Sequence, residues 1–406
     1  MKLSSFRYLW IGQAFANLGD VFYIVGLISI MFAASQSAFY LAMLPFINTI
    51  GRFISGYLSP ILFNRYPLKT LLSGSQSSKT VVLFILAFII TTFSQDGMLI
   101  ILLSIFIIAF LDGWAAPASR AMLPRLVEKK EIVKANSFFS VINHVNQLGG
   151  WALGGVLVSW IGGQTVIWVT VILFTLSSAM MHLIQDPTEF TSRNGKDPIG
   201  AVLRQGWKTI WETPVFRKIH VVIFIESIAN VVWIAAIIYV FVSQVLHKSE
   251  AWWGYINTTF FIGLLVGGLI CTTFSSVIEK NLKQLMLYSS ISASALTFLF
   301  GFNDIAWIAL LLSVLYGIGE QIKGITIETY LQNEATTEEL PKIYGAQGAL
   351  TSLTFGLSSL LLGGMADLFG VQQVFLLSAT LLAIAAIYIL ASKQYFKTKY
   401  AHNHQA

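Results

Sequence analysis

Residues 109–127 read AFLDGWAAPASRAMLPRLV, an apolar run with an aspartate inside it and an arginine eight residues further on. An aspartate at the centre of a membrane helix costs roughly 2.5–3.5 kcal/mol on insertion scales, so Asp112 needs a compensating role. The stretch recurs in outline at an offset of 208: Asp112 falls on Glu320, Leu123 on Leu331, Glu131 on Glu339 and Lys134 on Lys342. Gly155 then falls on Gly363, Gly162 on Gly370 and Gln164 on Gln372. Nearer the N-terminus, Phe6-Arg7 matches Phe216-Arg217 at an offset of 210, setting Asp20 opposite Asn230, and Leu68-Lys69 matches Leu282-Lys283 at 214. An ordered series of this kind marks two halves built alike.

The chain has 406 residues, 56% hydrophobic and 11% charged. Soluble domains are about a quarter charged, so the composition is that of an integral membrane protein. About 20 apolar residues cross a hydrocarbon core. Twelve such segments are expected, at 9–33, 37–63, 71–93, 98–121, 136–161, 164–184, 219–243, 251–275, 284–302, 305–328, 344–368 and 373–391. They predict an N-terminal six-helix bundle over 1–185, a cytoplasmic linker over 186–217, a C-terminal bundle over 218–391 and a tail over 392–406. Within the linker, Ile199–Trp211 has the pattern of a short amphipathic helix on the membrane surface. The run from Leu9 is too long for a secretory signal and lacks a small-residue cleavage site, so the N-terminus is expected to be retained.

The basic residues set the expected orientation. With both termini inside, 21 of the 25 Lys and Arg residues are cytoplasmic, Lys248 alone is outside, and Arg52, Lys79 and Lys323 lie within spans. This is a strong positive-inside pattern. The net charge of +6 thus reflects orientation toward anionic lipid and needs no nucleic acid. Cys271 is the lone cysteine and the six histidines are scattered, which offers neither a disulfide framework nor a metal cage. No phosphate-binding glycine loop, zinc-protease motif or GxSxG elbow occurs. No cofactor and no enzymatic activity are expected; energy would come from an ion gradient or the substrate's own.

Charged residues sit inside predicted spans, among them Asp20, Arg52, Asp112, Glu226, Glu320 and Lys323. At 1.5 Å per residue from the cytoplasmic ends, Asp20, Arg52 and Asp112 lie about 18, 16 and 13 Å deep, Glu226 and Glu320 about 12 Å, and Lys323 about 7 Å. Asp20, Asp112, Glu226 and Glu320 occupy the first, fourth, seventh and tenth spans, one each. Two readings stand. A buried carboxylate favours its neutral form, so one or more of the four could exchange a proton during a transport cycle. Alternatively they hold fixed ion pairs, Asp20 or Asp112 with Arg52 and Glu320 with Lys323 one turn away. Asn17, three residues before Asp20, either contacts substrate or bonds a neighbouring helix. Gly150, Gly154 and Gly155 are expected to allow close helix approach. Phe22, Tyr23, Trp114 and Trp233 form either an aromatic wall for a ligand or core contacts.

The run PASRAMLPRLVEKKEIVKANSFFS (117–140) carries Pro117-Ala118, Leu123-Pro124 and Ala135-Asn136, and the chain opens FRYLWIGQAFANLGD (6–20), with Gly19-Asp20 in the first helix. In these features it resembles the macrolide-efflux branch of the drug:proton antiporters of the major facilitator superfamily. The resemblance implies an all-α integral membrane fold, twelve transmembrane helices in two pseudo-symmetric six-helix bundles, with the first, fourth, seventh and tenth lining a central cavity. The repeat agrees, because two six-helix halves in one orientation are that architecture. In PILFNRYPLK (60–69), Asn64 stands where the family loop usually has an aspartate, while Arg65 and Lys69 keep their places as inner-face gating residues together with Arg120. In QLGGWALGG (147–155), Gly150-Trp151 replaces the usual Gly-Pro.

The resulting expectation is a monomeric secondary transporter of a bacterial inner membrane that exports a small hydrophobic or amphiphilic molecule, of drug, antibiotic or siderophore class, in exchange for protons. Asp20, Asp112, Glu226 and Glu320 are its coupling or cavity carboxylates, with Asn17, Arg52, Asn230 and Lys323 as polar or charged partners. Uptake or uniport on the same fold, and a non-transporting membrane sensor, are the alternatives.

Overall fold

The structure is a computed structural model that describes residues 3–35, 38–92, 98–188, 198–233, 235–249 and 251–396. Linker residues 189–197 (with Arg193 and Lys196), Lys2, and tail residues 397–406 (with Lys397 and Lys399) lie outside the described residues. Helices dominate, as they must where lipid offers no partner for backbone N–H and C=O groups. In order they are α1 (Leu3–Ser35), α2 (Ala38–Arg65), α3 (Leu68–Thr92), α4 (Met98–Leu126), α5 (Ile132–Leu183), α6 (Ile199–Glu212), α7 (Pro214–Ala229), α8 (Ala235–Gln244), α9 (Ala251–Thr273), α10 (Ser275–Lys280), α11 (Leu282–Gly301), α12 (Ala306–Glu334), α13 (Leu340–Phe369) and α14 (Val371–Ala391).

The expected fifth and sixth spans are the two arms of α5, broken at Gly162 (φ 79°, ψ 154°). Gly370, its repeat partner, precedes α14 with φ 90° and ψ 150°. This backbone region is essentially open to glycine alone. Two residues on, Gln164 Nε2 donates to the Ile90 carbonyl (2.8 Å) and Gln372 Nε2 donates to the Gly301 carbonyl (3.2 Å). The matched Gly and Gln therefore do the same work in each half: one turns the chain, the other caps the end of a neighbouring helix.

Nine helices among the described residues are long and apolar enough to cross a membrane, and the pair Pro214–Trp233 and Ile237–Gln244, bent by 43°, brings the count to ten when taken as one span. The remaining two expected spans, 37–63 and 136–161, are helical but more polar. One carries Asn48 and Arg52, the other Asn143, His144, Asn146 and Gln147. Asn48, Arg52, Asn143 and Asn146 bond to neighbouring helices, so hydropathy alone undervalues these spans.

The chain divides into two compact units, Met1–Trp207 with Glu334–Ser352, and Lys208–Asn333 with Leu353–Ala406. In the first, α5 packs along α1, and α4 along α2 and α3. Tyr23, Leu27, Leu83, Ile105, Ile108 and Phe174 form its apolar centre. In the second, α14 packs on α11 and α7, around Trp233, Phe241, Phe300, Tyr316 and Phe375. Large apolar side chains such as Trp160, Leu360 and Leu368 point outward and are more than three-quarters exposed (81%, 77% and 79%), as a lipid-facing surface requires.

Close approach is glycine-dependent at two of the three positions expected. A Cβ on Gly150 would lie 3.1 Å from Val21, and one on Gly154 would lie 3.3 Å from Val25, so α1 seats against both. Gly155 does not belong with them: it is exposed and faces open space. It is one residue past Gly154, which rotates it about 100° off the α1 face at 3.6 residues per turn.

The amphipathic segment forms α6 as expected, with Ile210 buried on its inner side. It docks on protein. Asn64 Nδ2, at the place of the missing aspartate, donates to Gln205 Oε1 (3.1 Å). Gly206 lies so close to the Lys342 carbonyl that any side chain there would collide with it.

Candidate functional site

Each unit contains one buried cluster of two carboxylates around a lysine. In the first, Lys79 on α3 places Nζ 2.7 Å from Asp20 Oδ1 on α1 and 2.7 Å from Asp112 Oδ1 on α4. Arg52 on α2 donates through Nη2 to the other oxygen of Asp112, at 3.2 Å. The Lys79 side chain is fully enclosed, whereas Arg52 is 46% exposed. Beneath the ammonium lies the Phe174 ring, 4.5 Å away, a cation–π contact that strengthens when desolvated. Gly19 makes this possible, since a Cβ there would come within 2.6 Å of the same ring. On the far side, Gly51 and Gly113 bring α2 and α4 together: their added Cβ atoms would meet Ala109 at 2.9 Å and the Arg52 carbonyl at 2.9 Å. That approach carries Arg52 to Asp112.

In the second unit, Lys323 on α12 lies 2.7 Å from Glu320 Oε2, the one-turn pair expected from the sequence, and 3.2 Å from Glu226 Oε1 on α7. The Ser290 hydroxyl donates to Glu226 Oε1 (3.2 Å). Asn230 Nδ2 donates to Glu320 Oε1 (3.2 Å), and the Tyr316 hydroxyl donates to Asn230 Oδ1 (2.9 Å). Lys323 and Glu226 are enclosed, with side-chain exposures of 2% and 6%; Glu320 retains 27%. A lone charge so placed would cost several kcal/mol or more, and the shared lysine makes each pair of carboxylates tolerable.

The structure thus brings together Asp20, Asp112 and Arg52 in one cluster, and Glu226, Glu320, Asn230 and Lys323 in the other. The sequence reading gave Lys79 no partner, although it placed this lysine inside a span. The signal was there, because a lysine deep in a membrane helix must find a counter-charge; what was missing was which helix supplies it. The two lysines are not repeat partners. Lys79 comes from α3 and Lys323 from α12, so similar clusters are assembled from different helices.

Asn17 joins α1 to α5: its Nδ2 donates to Asn143 Oδ1 (2.7 Å), while Gln13 Nε2 donates to Asn17 Oδ1 (2.9 Å). Asn146 Nδ2 donates to the Ala14 carbonyl (3.0 Å), so the polar patch of α5 serves helix association. Trp233 stacks on Tyr316 at 3.9 Å and 14°, and its Nε1–H donates to Thr297 Oγ1 (3.1 Å). Tyr23, Phe22 and Trp233 are core residues. Of the inner-face residues, Arg65 and Arg120 are exposed on α2 and α4. The best-defined polar link in that region runs through Arg125, whose Nη1 donates to Asp186 Oδ2 (3.0 Å) and whose Nη2 donates to the Thr337 carbonyl (2.8 Å).

Comparison with known proteins agrees with this fold. The family model described as Major Facilitator Superfamily matches residues 9–353. The MFS-type transporter YfmI of Bacillus subtilis (strain 168) is 30% identical over 393 residues, covering 96% of this chain and 97% of that one. Macrolide efflux protein A of Streptococcus pyogenes is 21% identical over 397 residues, with 94% of each chain covered. Among solved structures, a bacterial homologue of the iron transporter ferroportin in an outward-facing state superposes with a TM-score of 0.76 over 96% of this chain and 99% of that one, at 12% identity, a likeness of fold. The family match and the full-length relative, together with the membrane-spanning helices that carry the two ion clusters, place this chain in the Major Facilitator Superfamily, as a multi-pass membrane transporter of small molecules and not an enzyme.

Proposed function

We propose that this transporter exports a small hydrophobic or amphiphilic molecule in exchange for protons, from a bacterial cytoplasmic membrane in which both termini face the cytoplasm. The observation that carries the proposal is the pair of buried clusters, Asp20–Lys79–Asp112 and Glu226–Lys323–Glu320, each held at ion-pair distance. A carboxylate in such a cluster can take a proton, give up its hold on the lysine, and release the proton when the site next meets water. Coupling this change to alternating access makes a proton gradient drive export. The direction of transport is supported by the full-length similarity to Macrolide efflux protein A, and the orientation by the positive-inside distribution of Lys and Arg. The coupling group is then one of the carboxylates that lie within the spans, and the apolar remainder suits a substrate that partitions into lipid.

The test is transport by purified protein in liposomes that enclose a pH-sensitive dye. Adding a macrolide to one side should move protons in the opposite sense, and Asp112→Asn and Glu320→Gln should each be tried for loss of that movement. Normal proton-coupled flux in both variants would refute the role given to the carboxylates. Substrate flux with no proton movement in the wild type would favour uniport.

A further inference from the structure

We propose that the two clusters divide the work: the second, Glu226–Lys323–Glu320, binds the exchanged cation, one per cycle, and Glu320 is the group that takes and releases it. The first cluster is a charge-balanced ion-pair frame. This inference rests on the exchange reading given above.

The argument is one of charge. In the first unit Asp20 and Asp112 face Lys79 and Arg52, two negative charges against two positive. In the second, Glu226 and Glu320 share Lys323, two against one. Among the described residues nothing else supplies the missing positive charge. From α7 the facing ionisable group is Glu226; from α12 they are Glu320, Lys323 and the Tyr316 phenol, whose hydroxyl is engaged by Asn230. From α11 only the Ser290 hydroxyl reaches in. The α9 and α14 sequences contain no acidic or basic residue. His220 on α7 is committed to the Phe216 carbonyl (2.7 Å), and Lys218 sits over the Tyr388 ring (4.7 Å). A buried net charge of this kind is costly, so the cluster is complete only when one more cation joins it.

Access chooses the residue. Glu320 is 27% exposed where Glu226 is 6% and Lys323 2%. Glu320 is also oriented by a neutral donor: Asn230 holds Oε1, which leaves Oε2 to face the ammonium. When a proton from water bonds to Oε2, the only interaction lost is the ion pair with Lys323, which keeps Glu226. The cluster goes from one net negative charge to neutral, and release of the proton reverses the step. The cationic headgroup of a substrate would satisfy the same deficit, which makes proton and cation mutually exclusive at Glu320.

The experiment uses purified wild-type protein without substrate and follows its protonated-carboxyl stretching band by infrared difference spectroscopy as pH is varied. Because interacting carboxylates titrate as a pair, one proton per chain is expected, lost entirely in Glu320→Gln and in Glu226→Gln, and retained with a shifted band in Glu320→Asp. The charge-balanced double variant Arg52→Gln with Asp112→Asn should keep the titration. A titration that survives Glu320→Gln, disappears in the double variant, or is absent from the wild type overturns the assignment. The liposome assay separates this from failure of the exchange reading itself: proton-coupled flux that persists in Glu320→Gln and vanishes in Asp20→Asn would leave antiport standing and move the site to the first cluster. Binding of Na⁺ or K⁺ in place of the proton would appear as salt suppression of the band at fixed pH and would overturn the proton's identity.

Discussion

Replacing Lys79 with methionine tests the first cluster where it is most constrained. The lysine is fully enclosed and makes two contacts of 2.7 Å. At an effective dielectric of about 20, each contact at 2.7 Å is worth about 6 kcal/mol of Coulomb attraction. Most of that offsets the desolvation of the ions, and breaking a buried pair by removing one partner nets about 3–5 kcal/mol of destabilisation. After the substitution Asp20 has lost its one ion-pair contact and feels only the more distant Arg52, and Asp112 keeps only the 3.2 Å contact with Arg52. Unfolding in mixed micelles with increasing sodium dodecyl sulfate should show a loss of about 3–5 kcal/mol. Adding Asp20→Asn removes the stranded charge while the Asp112–Arg52 pair remains neutral, and the double variant should recover about 2 kcal/mol, the size of coupling expected of direct contacts. A single variant within about 1 kcal/mol of wild type, or a double variant no better than the single, would refute the claim that Lys79 is a structural counter-ion.

The repeat-related turns can be probed in the same assay: Gly162→Ala and Gly370→Ala each force a side chain into a glycine-only backbone region and should cost about 1–3 kcal/mol. Gly155→Ala should be close to neutral, because an added Cβ meets nothing within 4 Å, whereas Gly150→Leu should push α1 away from α5 and lower the yield of folded protein. Arg125→Gln removes two charge-assisted hydrogen bonds, to Asp186 and to the Thr337 carbonyl, each worth about 1.5–3 kcal/mol. In a background with the buried Cys271 replaced by alanine, a cysteine substituted for Thr337 should then react faster with a soluble maleimide; an unchanged rate would show that the link does not restrain that loop.

What the sequence made legible was whatever rests on local pattern or on duplication. Runs of apolar residues near the length of a bilayer can be satisfied only as helices, so their positions were readable without any knowledge of packing. The duplication reached down to single residues: Gly162 and Gly370, paired by offset alone, share the same rare backbone angles. The Glu320–Lys323 pair was also legible, because both members sit on one helix a single turn apart. Lys79 was not, since its partners lie 59 and 33 residues away on two other helices, and a span boundary does not say which neighbour a face will meet. The same limit hid the difference between Gly154 and Gly155, which one residue of rotation decides. Most consequential is the charge count. Composition gives the number of membrane-embedded acids and bases, and the sequence offered Arg52 to Asp20 or Asp112; the packing of α2 and α4 across Gly51 and Gly113 seats it on Asp112. That assignment leaves the second cluster, around Lys323, one positive charge short.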